Sequence, residues 1–156
     1  MSATAERIES DLRELVSFRV AGQDFCVDIM SVREIRGWTP ATLLPHAPPH
    51  ILGVINLRGS VVPIVDLAVR LGLPAMEPNS RHVIVICVVG NQTVGFLVDA
   101  VSDIIGVRKS AIQSTPDVTS EKTRAFIEGV IAIEDRMLRL IDIEFAFPAN
   151  GRQEQP

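Results

Sequence analysis

Tyrosine is missing altogether from these 156 residues, tryptophan occurs once and phenylalanine six times. So few rings leave little from which to build a platform for stacked bases. A basic excess is missing too: 15 Lys and Arg stand against 19 Asp and Glu, a net charge of −4. Non-specific nucleic-acid binding needs a basic face, so no nucleic-acid partner is expected. Every apolar stretch is cut by Gly, Pro or charge well before the roughly 18 residues of a membrane span. The N-terminus carries Glu6, Glu9, Asp11 and Glu14 with no long apolar run behind them. Neither a secretory signal nor membrane insertion is expected, and a cytoplasmic location is. The two cysteines, Cys26 and Cys87, stand in separate apolar segments without CxxC spacing and read as reduced core thiols.

Catalytic signatures are equally scarce. There is no Gly-rich phosphate loop, no GxSxG and no HExxH. His46 and His50 have a helical ligand spacing, but Pro48 and Pro49 between them forbid that helix, so no metal site is expected. Asp66 and Asp142 could do acid–base work only if they met in space. Both follow a strand and precede a short apolar segment, which points to capping. No cofactor and no enzymatic activity are expected; a small-molecule enzyme using Asp66 and Asp142 is the competing reading.

What the chain does have is a high hydrophobic content, 47%, which favours a buried core. The stretch from Gly53 to Leu67 organises the rest. Val54, Ile55 and Leu57 lead in, and Val61, Val62, Ile64 and Val65 lead out. Short β-branched runs of this kind predict two strands, with Arg58, Gly59 and Ser60 as the turn between them. Gly129 to Ile143 repeats the grid without a gap: Gly, Val, Ile and the late Asp coincide, while the tip becomes Glu134, Asp135 and Arg136. A shared grid with divergent tips predicts a duplicated β unit whose copies do different work.

Read in order, residues 1–14 predict a polar N-terminal arm, and 15–36 predict strands broken by Ala21-Gly22-Gln23. Residues 38–50, with four prolines, form a rigid connector. Asp66 caps a short helix that Gly72 closes. The turn-rich stretch 74–81 is placed as the boundary between a first lobe of about 15–73 and a second of about 82–147. The second half repeats the order, through a polar loop at 108–125 and a closing hairpin at 126–147, to a polar tail at 148–156. Five short strands per half predict an all-β fold of two small barrels with short helical turns. Each barrel alone is marginal, so the two are expected to share an apolar seam. Three exposed features suit an interaction protein: Arg58 at the tip, the alternation Val32 to Arg36, and the Val-rich strands.

The run Gly-Val-Ile-Asn-Leu-Arg-Gly-Ser-Val-Val-Pro-Ile-Val-Asp-Leu at 53–67 resembles the signature of the CheW-like chemotaxis adaptors. Val27 to Gly37 and Val98 to Asp103 resemble further blocks of that family, and the likeness covers about residues 15–147. It implies two SH3-like five-stranded barrels around a hydrophobic seam. It also implies a non-catalytic adaptor of a two-component system, joining membrane chemoreceptors to the histidine kinase CheA at cytoplasmic receptor arrays. An adaptor of a related array with a non-motility output is the nearest alternative. By the same resemblance, Asn56, Leu57, Arg58 and Gly59 are partner-binding positions. Val32, Glu34 and Ile35 match positions of kinase or receptor contact, and Val94, Val98, Asp99 and Val101 match the receptor side.

Overall fold

Strands form wherever β-branched and apolar residues alternate or run between turn residues. The structure, a computed structural model, describes residues 11–114 and 125–146. The expected arm up to residue 10, the middle of the 108–125 loop and the tail at 148–156 lie outside the described residues. Ten strands occur among the described residues: β1 Leu12–Val20, β2 Gln23–Asp28, β3 Val32–Gly37, β4 Ile51–Leu57, β5 Ser60–Asp66, β6 Val83–Val89, β7 Gln92–Val98, β8 Ala100–Arg108, β9 Ile127–Ile133 and β10 Arg136–Ile141. Two short helices follow β5 and β10: α1 Leu67–Arg70 and α2 Ile143–Ala146. Single 3-10 turns follow β2 and β8, at Ile29–Ser31 and Lys109–Ala111. The first strand begins inside the expected arm, because Leu12, Arg13 and Glu14 extend the ladder with Arg108, Val107 and Gly106 of β8.

The strands form two five-stranded sheets, ordered β8-β1-β2-β10-β9 and β3-β6-β7-β5-β4. This corrects the expected lobes of 15–73 and 82–147. The second sheet is the contiguous stretch from β3 to β7, here the central lobe. The first is assembled from both ends of the chain, here the terminal lobe. The two orders superimpose when β3, β4, β5, β6 and β7 are read as β8, β9, β10, β1 and β2. The repeat is therefore cyclic, with lobe crossings at Ile29–Ser31 and Asp99 rather than at 74–81. Each lobe contains one parallel pair, β5 with β7 and β10 with β2, at matching places. Both sheets are SH3-like in form, but neither closes into a barrel by a backbone ladder among the described residues.

The duplicated hairpins fall one in each lobe, as β4–β5 and β9–β10. Their leading glycines have a common cause. A crossing segment bridges each hairpin beside the glycine, Thr42 with Val54 and Gln113 with Val130. A Cβ at Gly53 would lie 2.4 Å from the Thr42 carbonyl oxygen, and one at Gly129 would lie 2.8 Å from that of Gln113. Asp66 caps α1, accepting from the Val69 N–H. Gly72, in the left-handed region, ends it with paired bonds from its own N–H to Val69 O and from the Leu73 N–H to Ala68 O.

Period-two alternation sorts the interior into three cores. Val16, Phe18 and Val20 of β1, Phe25 and Val27 of β2, and Val85, Cys87, Val94, Phe96 and Val98 of β6 and β7 meet in a seam between the sheets. The opposite faces fill the lobes: Leu15, Cys26, Leu138 and Leu140 in the terminal one, and Ile64, Ile84, Ile86 and Leu97 in the central one. β1, β2, β6 and β7 are thus buried on both faces. Ser17, the buried polar residue of β1, is satisfied at a bulge, its Oγ accepting from the Asp103 N–H at 3.1 Å and donating to the Asp103 carbonyl at 3.3 Å.

A seam common to both lobes makes them unfold together. Phe96→Ala is expected to lower stability by about 3–5 kcal/mol. In a denaturant titration, fluorescence of Trp38, which packs on the central core, and far-ultraviolet circular dichroism will trace one coincident transition; separate midpoints would contradict the common seam. Burial also pushes the Cys26 and Cys87 thiols up to about 12. A thiol reagent at mildly alkaline pH is expected to modify neither cysteine in the native protein and both after denaturation.

Candidate functional site

The Asn56-Leu57-Arg58-Gly59 segment builds a tip of defined shape. Arg58 and Gly59 both take positive φ, 51° and 87°, as a two-residue hairpin turn with the twist of its strands requires. The Asn56 side-chain oxygen accepts from the Gly59 N–H at 3.1 Å and braces the turn. Leu57 is buried in the central core and anchors the tip from beneath. Arg58 projects outward, its side chain 67% exposed. Its Nη2 donates to Glu34 Oε1 at 2.6 Å.

Glu34 reaches that place through a bulge in β3. Val32 pairs with Cys87 but Glu34 pairs with Ile86, so Arg33 is the extra residue. Cross-strand partners share a face. Cys87 faces the seam, while Ile84 and Ile86 face the central core. The bulge therefore turns Glu34 and Arg36 toward the central core side and leaves Ile35 outside, 45% exposed. The alternation of Val32 to Arg36 is thus interrupted at Arg33. Arg36 Nη1 donates to the other Glu34 oxygen at 3.0 Å. β3 and β4 are the two ends of the central sheet order, so the Arg58–Glu34 pair spans the sheet's open edges. Hydrogen bonds from Arg58 first, then from Arg36, hold the Glu34 carboxyl below its usual range.

The structure gathers only some of the expected site residues. Glu34, Ile35, Asn56, Arg58 and Gly59 lie at the central tip or beside it, and Val32 packs half-buried against the seam. Val94 and Val98, expected on a contact surface, are fully buried. They occupy the seam-facing positions of β7, whose other face is also covered, and cannot touch a partner. Asp99 is half-buried at a lobe crossing, its N–H donating to the Arg19 carbonyl, and Val101 packs against the seam edge. Val61, 66% exposed, was not anticipated as part of the tip. It pairs directly with Asn56 across the hairpin, and the register around a two-residue turn would have placed it on that residue's wet face.

The terminal lobe's tip has the same backbone and different chemistry. Glu134 has a φ of 54°, close to that of Arg58, and Glu134, Asp135 and Arg136 are all exposed. The two aspartates that might have formed an acid–base pair are caps. Asp66, buried, accepts from the Val69 and Met76 N–H groups, and Asp142 accepts from the Glu144 N–H. No helix among the described residues is long and apolar enough to cross a membrane.

Similar proteins agree with this architecture. The family model described as "CheW-like domain" matches residues 14–149. The chain is 54% identical over 153 residues to the chemotaxis protein CheW of Rhizobium meliloti, covering 98% of this chain and 99% of that one. It is 36% identical over 140 residues to the chemotaxis protein CheW of Bacillus subtilis, covering 90% of each. The crystal structure of the scaffolding protein TtCheW from Thermoanaerobacter tengcongensis superimposes with a TM-score of 0.80 at 32% identity, covering 90% of this chain and 91% of that one. Two linked SH3-like sheets with an arginine tip are thus those of a chemotaxis signalling adaptor, a scaffold by class. The chain belongs to the CheW-like domain family.

The Glu34 pair sets a titration. Because the folded carboxyl lies below its ordinary value, the pairing is complete above the usual glutamate range and is lost as pH falls through the lowered one. Carboxyl-carbon NMR of the native protein is expected to show Glu34 titrating below the ordinary glutamate range. In Arg58→Ala its midpoint will move up toward that range; an unmoved midpoint would show that Arg58 does not hold the charge.

Proposed function

We propose that this chain couples the histidine kinase CheA, through its regulatory domain, to the cytoplasmic tips of methyl-accepting chemoreceptors, at membrane-associated arrays in the cytoplasm and without catalysing a reaction itself. The observation that carries this reading is the pose of Arg58. Asn56 braces its turn, Leu57 anchors it and Glu34 orients its guanidinium, so little side-chain freedom remains to be lost on binding. Ile35, Asn56, Gly59 and Val61 surround it with exposed contact area of mixed polarity. Asp99 and Val101, near the second lobe crossing, belong to a separate contact region. Leu57, Val94 and Val98 support these surfaces from below.

One rigid body with two contact regions can hold two partners at a fixed spacing and raise their local concentration. A signal then passes as a change in relative placement, with no bond made or broken.

Arg58→Glu sets a carboxylate against Glu34 and removes the anchor. Partner binding is expected to weaken by about 1–4 kcal/mol, with the melting temperature changed by no more than a few degrees. Titration calorimetry against the kinase regulatory domain and against a receptor fragment measures this. Unchanged affinity for both partners would reject Arg58 as a contact.

A further inference from the structure

The cyclic repeat supplies an internal comparison. At the end of the central lobe away from its tip, Trp38 and Met76 pack onto that lobe's core. The Trp38 N–H donates to the His82 carbonyl at 3.1 Å, and the Met76 N–H donates to Asp66 Oδ2 at 3.1 Å. The matching end of the terminal lobe lies at the starts of β1 and β9 and the ends of β2 and β8. There a groove of about 710 Å³ opens, with Leu12, Ile29, Met30 and Ile112 in its wall. A second hollow of about 280 Å³ shares Arg13, Asp28, Met30 and Glu128 with it and reaches Asp142 and Glu144. Met30 is 87% exposed and Leu12 46%.

The polar lining is acidic. Glu14, Asp28 and Glu128 line the main groove and Asp142 and Glu144 its extension, with Arg13 and Lys109 as the cations. Arg13 is already engaged: it donates to Asp28 at 2.9 and 3.0 Å and to Glu128 at 3.0 Å. Among the described residues, Glu14 and Glu144 form no ion pair. An apolar floor with an acidic rim complements one chemistry, a segment carrying apolar side chains on one face and Lys or Arg beside them. An anionic membrane surface has the wrong sign for this rim.

We propose that this groove docks a cationic amphipathic segment of a partner protein, with apolar side chains on Leu12 and Met30 and basic ones against Glu14, Glu128 and Glu144. The site is at the far end of the other lobe from Arg58, so it stands or falls separately from the coupling role above.

The test uses the full chain and two synthetic peptides of equal length, one an amphipathic Leu/Lys sequence and one its Leu/Glu counterpart. The Leu/Lys peptide is expected to bind, more weakly as salt is raised, and to shift the amide NMR signals of Leu12, Met30 and Lys109. Met30→Asp and the double variant Glu14→Lys, Glu144→Lys are each expected to weaken it about tenfold or more, both with native-like spectra. Glu134→Lys, at the acidic tip, serves as the control and leaves binding unchanged. Equal binding of the Leu/Glu peptide, signal shifts confined to other surfaces, or groove variants no weaker than the control would overturn the proposal. Tighter peptide binding on removal of residues 148–156 would make the chain's own tail the occupant and overturn it too, as would uptake onto anionic phosphatidylglycerol vesicles through the same residues.

Discussion

The seam between the two sheets is the constraint on which everything else rests. A five-stranded sheet of some 60 residues buries too little apolar surface to be secure alone. Here β1, β2, β6 and β7 each face two cores, so the seam side chains of these four strands are backed by a lobe core through their own strand. Phe18 and Phe25 stack across β1 and β2 with centroids 6.4 Å apart, and Phe96 enters the same cluster from β7. Removing the seam would expose one face of each of these strands at once. The terminal lobe has a further dependence: β1 and β2 come from one end of the chain and β8 to β10 from the other, so it forms only when both ends are in place.

That interior accounts for the character of the surface. With the strands fixed from two sides, the hairpins that leave them have little freedom in direction. The tip at Arg58 inherits this rigidity and adds its own, through the bracing by Asn56 and the pair with Glu34 across the sheet's open edges. The ion pair is exposed and adds little to stability by itself. Its effect is on geometry: it decides where the guanidinium points. The same backbone in the terminal lobe carries Glu134 and Asp135. One duplicated frame therefore presents opposite charges at its two tips.

Much of this was legible in the sequence, because much of it is local. Alternation, turn residues and the caps at Asp66 and Asp142 act over a few positions, and they placed most of the strands, both duplicated hairpins and the short helix after Asp66; the helix Ile143–Ala146 falls where the closing hairpin was expected to continue. The matched grids at 53–67 and 129–143 signalled duplication. The phase of the repeat was not legible. A cyclic repeat read along a line can be cut at any of its turns, and the turn-rich stretch 74–81 is the most conspicuous. The true crossings are the three residues Ile29–Ser31 and the single residue Asp99, which leave almost no compositional mark. The same difficulty hid the site's details. Val94 and Val98 lie in a strand whose pattern is apolar on both faces, so nothing local separates core from contact surface. The bulge at Arg33 depends on the register with β6, some fifty residues away.

The cyclic arrangement has a mechanical consequence. The chain crosses between lobes at Ile29–Ser31 and again at Asp99, and both crossings lie against the packed seam rather than in a long linker. Hinge motion between the lobes would have to break apolar contacts along four strands, whereas a flexible linker would cost almost nothing to bend. A body joined in this way transmits displacement instead of absorbing it: a partner that moves one lobe moves the other by a corresponding amount. For a scaffold this is the property that matters, since a scaffold acts through the placement of what it holds.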